Sequence, residues 1–141
     1  MYTLHMGDKY KHVFWRYAED HLRESFAKPY VHMLFGARQT GKSTLLRQLL
    51  PKDALNINLA NPAERSRFAA NPDTFVQLCK ALPKGRKAQF VWVDEAQAVP
   101  AIFDGVQYLY DEDKTRWRFV LSGSSARKLR RMGANLLPGR S

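Results

Sequence analysis

The chain has 141 residues, within the roughly 100–200 that one domain occupies. Apolar residues make up 45% and charged residues 26%, which excludes wholesale disorder, and a single cysteine, Cys79, excludes both an internal disulfide framework and a cysteine-based zinc cluster. With 23 Lys+Arg against 13 Asp+Glu, the net charge of +10 favours anionic partners: nucleotides, nucleic acid or an acidic protein face.

No apolar run reaches the roughly 18 residues of a membrane-spanning helix, and no signal-type stretch opens the chain, so the expected compartment is the cytoplasm, with no membrane partner. Residues 1–13 are polar and basic and read as a lead-in. Phe14, Ala18, Leu22 and Phe26 then recur at helical spacing before Pro29. Val31-His32-Met33-Leu34-Phe35 reads as a short buried strand running into Gly36. Beyond Gly41, residues 42–50 place Leu45, Leu46, Leu49 and Leu50 on one helical face, closed by Pro51.

Residues 54–60 alternate Leu55, Ile57 and Leu59 with Asn56 and Asn58, the period of a strand. Asn61-Pro62 and Asn71-Pro72 each set an N-cap asparagine before a proline at the first helical position, and Glu64 falls where a capping box wants its acid. Phe75, Val76, Cys79 and Leu82 give the second of these helices its apolar stripe, on which Cys79 reads as inert. After Pro83-Lys84-Gly85, residues 89–93 form a strand that ends in Asp94-Glu95. Pro100 opens a helix with Phe103, Val106 and Tyr110 on one side, ended by Asp111-Glu112-Asp113. Residues 117–121 form a fourth strand stopping at Ser122-Gly123-Ser124, and residues 126–132 a short basic helix for which Ser124 or Ser125 is the cap. Strands and helices alternate, which gives an α/β class with a parallel sheet.

Gly36-Ala37-Arg38-Gln39-Thr40-Gly41-Lys42-Ser43 fits G-x-x-x-x-G-K-[ST] between a strand and an amphipathic helix. The glycines let backbone N–H groups turn inward onto phosphate oxygens, and the helix start adds its partial positive charge. Lys42 is the expected contact to the β- and γ-phosphates, and Ser43 a magnesium ligand. Asp94, at a strand end, is placed to hold magnesium, and Glu95, one residue on, to polarise the attacking water. Ser122, at the same carboxyl edge, is placed to touch the γ-phosphate or that water.

Three blocks, GARQTGKST, VWVDEAQAVP and FVLSGSSARKL, resemble the AAA-type P-loop ATPases of bacteria and archaea, and most of all a group that carries a further C-terminal domain. INLANPAER and Pro100 extend the likeness, which covers roughly residues 14–141. The resemblance implies a three-layer α/β/α P-loop fold of the additional-strand type, with core order 5-1-4-3-2, using ATP and Mg2+. It makes Gly36, Ala37, Arg38, Gln39, Thr40, Gly41, Lys42, Ser43 and Thr44 the Walker A loop, Asp94 the Walker B acid and Glu95 the catalytic glutamate. Ser122 takes the polar sensor position, and Arg140 in Gly139-Arg140 matches an arginine the family carries there. No fifth apolar run follows Leu136, so the chain reads as a partial ATPase core that associates, as a homo-oligomer, or turns over slowly when isolated.

The leading reading is a magnesium-dependent ATPase that drives a conformational change on a macromolecule. A helicase-like module, suggested by Asp94-Glu95-Ala96-Gln97, and a nucleotide-regulated module with little hydrolysis stand beside it. No N-K-x-D string selects guanine. Arg127, Lys128, Arg130 and Arg131, with Arg116 and Arg118 upstream, read either as a DNA contact or as a solvated face. A protein partner is equally open. His5, His12, His21 and His32 have no metal spacing, and Trp15, Trp92 and Trp117 read as core.

Overall fold

The computed structural model describes residues 31–35 and 42–124. The helical pattern at 14–26, the loop 36–41, the basic segment 126–132 and Arg140 lie outside them. Four strands are present among the described residues: β1 Val31–Phe35, β2 Leu55–Asn58, β3 Gln89–Asp94 and β4 Trp117–Gly123. They form one sheet in the order β1-β4-β3-β2 with every pairing parallel. Parallel neighbours need long crossovers, and helices supply them. These are α1 Lys42–Leu49, α2 Pro62–Ala70, α3 Asp73–Lys80 and α4 Ala101–Glu112, with a 3-10 turn at Ala96–Ala98 after β3. The class is the expected α/β P-loop type, and the described strand order is that of the four core strands.

Side chains alternate along each strand, so the sheet has two apolar faces. Ile57, Val91, Val93, Phe119 and Leu121 face Phe68 of α2, Phe75 and Cys79 of α3, and Ile102, Phe103, Val106 and Leu109 of α4. Leu34, Trp92 and Val120 face Leu45, Leu46 and Leu50 on and just beyond α1. A parallel sheet covered on both faces reads as near-continuous apolar runs, as β3 and β4 do. Burial of the Cys79 thiol pushes its pKa up to about 12, which agrees with an inert core residue.

Two capping expectations change in the structure. Asn61 caps α2 as predicted, its side-chain oxygen accepting from Ala63 N at 2.9 Å. The reciprocal half of the capping box is absent, because Asn61 N–H donates to Asn58 O at 3.2 Å. Glu64 instead pairs with Arg67 one turn on, at 3.4 Å. Asn71 does not cap α3 with its side chain: it is the C-cap of α2, with its N–H bonded to Arg67 O, and Pro72 occupies the cap position of α3. β4 also runs two residues beyond the predicted end, since Ser122 and Gly123 remain in register with Leu34 and Phe35.

Replacing the cap tests this difference. Asn61→Ala is expected to lose about 1 kcal/mol of stability, and Asn71→Ala less than about 0.5 kcal/mol, measured by urea unfolding.

Gly105 in α4 sets two effects against each other. Alanine there gains about 1 kcal/mol of helix propensity. Its Cβ, however, would lie 2.8 Å from the ring of the fully buried Phe75. Overpacking of this kind costs about 1–3 kcal/mol, so Gly105→Ala is expected to lower the urea midpoint. Gly85→Ala, with no atom within 4 Å of the new Cβ, is expected to leave it unchanged or slightly raised.

Candidate functional site

The strand order β1-β4-β3 puts the carboxyl end of β4 between the other two, and the register aligns Leu34, Ser122 and Asp94 across the sheet. Asp94 and Trp92 share the face covered by α1, two residues apart on β3. At this edge the Asp94 carboxylate collects donors from three directions. Ser122 Oγ donates to Oδ1 at 2.9 Å, the Glu95 N–H donates to Oδ1 at 3.0 Å, and Ser43 Oγ on α1 donates to Oδ2 at 3.3 Å. Hydrogen bonds to an ionised group are worth about 1.5–3 kcal/mol each, so this set holds a charge that would otherwise be costly so near the core.

Ser122 is fully buried and its oxygen also accepts from Trp92 Nε1 at 2.8 Å. The hydroxyl that the sequence aims at a phosphate or a water is therefore bonded on both sides within the protein.

Glu95 leaves the strand in a left-handed conformation, φ 56°, the only non-glycine residue with positive φ among those described. Such a conformation costs on the order of 1–3 kcal/mol and persists where surrounding bonds fix it. Here the Glu95 N–H is held by Asp94, and Glu95 Oε2 accepts from Gln97 Nε2, from Ser124 Oγ at 3.0 Å and from Ser124 N at 3.5 Å. Glu95 is 8% exposed, so its carboxylate is presented from a largely buried position. Gln97 packs against Gly123, where any Cβ would strike its amide, and its Oε1 is buried without a hydrogen-bond partner.

The structure thus brings together Ser43, Asp94, Glu95 and Ser122 of the predicted residues, with Lys42 and Thr44 adjoining on α1. Gly36, Ala37, Arg38, Gln39, Thr40 and Gly41 lie outside the described residues. Arg116 and Arg118 do not join this site. They stand at the opposite end of β4, where Arg118 is four residues, about 13 Å of strand, from Ser122. Arg116 lies over the Trp117 ring at 4.5 Å and donates to Leu82 O at 3.2 Å, and Arg118 donates to Trp117 O at 3.1 Å.

Sequence reasoning missed Gln97 and Ser124 as partners of Glu95, and Trp92 as the partner of Ser122. A signal existed for Trp92: it precedes Asp94 by two on a strand and so shares its face. Nothing comparable marks Gln97, whose reach depends on the left-handed turn at Glu95.

Ser43 and Asp94 offer a hydroxyl and a carboxylate oxygen, the hard donors magnesium takes when it draws its remaining ligands from water and phosphate. No three His, Cys, Asp or Glu side chains gather into a metal cage among the described residues. No helix among them is long and apolar enough to cross a membrane.

Two relatives, the uncharacterized proteins Mb2031c of Mycobacterium bovis and Rv2008c of Mycobacterium tuberculosis, are each 31% identical over 127 residues. The match takes in 89% of this chain but 26% of each relative, so the chain spans about a quarter of their length. Residues 28–141 match the AAA domain family over the whole stretch that carries the sheet and its acidic edge, and the chain belongs to that family of nucleotide-binding, ATPase-like P-loop domains.

Proposed function

We propose that the chain binds ATP with magnesium at the carboxyl edge of its sheet and hydrolyses it. The observation that carries this reading is the Asp94 carboxylate, bonded at once to Ser43 at the start of α1 and to Ser122 at the end of β4. A carboxylate, a hydroxyl and a helix start converge where a parallel sheet places its ligands.

In this reading residues 36–44 cradle the phosphates, and Lys42 meets the β- and γ-phosphates. Ser43 and Asp94 hold magnesium, which when bound neutralises phosphate charge. Glu95 is the base. Its Oε2 is occupied by Gln97 and Ser124, and we assign Oε1 to the water. The water oxygen attacks the γ-phosphorus, the bond to the β-phosphate oxygen breaks, and the water proton passes to Glu95. Ser122 acts at the same edge, and Arg140 belongs to the nucleotide contacts. The work done is a conformational change transmitted to a macromolecule, a protein or DNA, by the longer protein of which such domains form a part, in the cytoplasm and as a homo-oligomer.

Two substitutions separate binding from chemistry. Lys42→Ala removes a charge-assisted contact worth about 1.5–3 kcal/mol, so ATP affinity by calorimetry is expected to fall about tenfold or more. Unchanged affinity would contradict the phosphate-loop assignment.

Glu95→Gln keeps the shape but cannot take the proton. Its ATP affinity is expected to stay near that of the wild type, while hydrolysis falls by about 100-fold or more. Wild-type turnover in this variant would show that another group is the base.

A further inference from the structure

We infer that Trp92 is a positioning residue for the magnesium site, acting through Ser122, and that Ser122 serves Asp94 rather than the γ-phosphate. The inference rests on the nucleotide reading proposed above and deepens it.

The direction of the hydrogen bonds follows from the donors. An indole N–H can only donate. Trp92 Nε1 lies 2.8 Å from Ser122 Oγ, so Ser122 must accept there. A serine hydroxyl has one proton, and 2.9 Å away lies Asp94 Oδ1, a carboxylate oxygen that can only accept. The Ser122 proton therefore points at Asp94. The indole fixes the hydroxyl, and the hydroxyl fixes Oδ1. With the Glu95 N–H also on Oδ1, the second oxygen, Oδ2, is left turned to Ser43. A carboxylate pinned through one oxygen presents the other in a set direction.

Burial removes the alternative. Ser122 is 0% exposed, and its proton is committed, so it donates to a phosphate only by giving up its bond to Asp94. Trp92, 3% exposed, sits among Leu34, Leu45, Leu46 and Val120. Apolar packing alone would be served by phenylalanine, whereas a buried indole N–H needs a partner, and Ser122 is that partner. The same apolar cluster carries α1, which bears Ser43. Trp92 thus supports both proposed magnesium ligands, one by packing and one by a hydrogen-bond relay.

The test measures ADP affinity of the 141-residue chain with and without Mg2+. The wild type is expected to bind ADP more tightly with Mg2+. In Trp92→Phe and in Ser122→Ala this gain is expected to shrink about tenfold or more, the scale of one hydrogen bond to a charged group, while Mg2+-free ADP binding stays within about twofold. The double variant should lose no more than Ser122→Ala alone, because the two residues act in series.

A second readout does not depend on how Trp92→Phe folds. Adding Mg2+ to the ADP-bound wild type is expected to change tryptophan emission, and Ser122→Ala, which keeps Trp92 but breaks the relay, should lose that change. Parallel loss of ADP affinity with and without Mg2+ in Ser122→Ala would overturn the inference and make Ser122 a phosphate contact. An intact Mg2+ gain in Ser122→Ala, or an intact emission change, would also overturn it. A wild type that binds ADP with no Mg2+ gain would instead remove the proposed function itself, and the inference with it.

Discussion

A carboxylate at the edge of an apolar core must be surrounded by donors, and the Asp94 carboxylate organises this edge of the fold by that requirement. Its two oxygens reach a hydroxyl on β4, the backbone of Glu95 and a hydroxyl on α1. The two hydroxyls come from segments far from Asp94 in sequence, and the order β1-β4-β3 with parallel pairing brings them to one edge. The apolar cluster of Leu34, Leu45, Leu46, Trp92 and Val120 holds α1 against the sheet so that Ser43 arrives there. Packing places the polar groups, and the charge then fixes their orientation.

Glu95, one residue later, is served by a different set. Its left-handed backbone turns it off the line of β3, and Gln97 and Ser124 take one of its oxygens. Two adjacent acids thus have separate partners. The first is bound on both oxygens, whereas Gln97 and Ser124 meet the second on Oε2 alone.

Much of the fold was legible from local pattern. β1, β2 and β3 follow from apolar runs and period-two alternation, and α3 and α4 from their stripes, because burial on one or both faces dictates those patterns. β4 was read two residues short because Ser122 and Gly123 look like a turn. Their strand state comes from pairing with β1, a long-range contact. Asn71 differs for a local reason: its N–H closes α2 on Arg67 O, and Pro72 takes the cap position of α3 in its place. At the edge of the sheet, spacing singles out Ser43, Asp94, Glu95 and Ser122, and the structure brings these four together. The strand pattern marks the Trp92 indole as core alone. Its second role needs the cross-strand register, which no single stretch of sequence displays.

In the proposed function, Asp94 is the carboxylate that meets a divalent cation beside bound nucleotide. Mn2+, a magnesium stand-in with a readable electron spin, measures this directly. Titrated into ADP-bound wild-type protein, Mn2+ is expected to lose its free-ion resonance up to one equivalent. In Asp94→Asn, folded and still binding ADP, the free-ion resonance is expected to persist to about tenfold higher protein concentration or more. Uptake of Mn2+ by Asp94→Asn at the wild-type affinity would contradict the account.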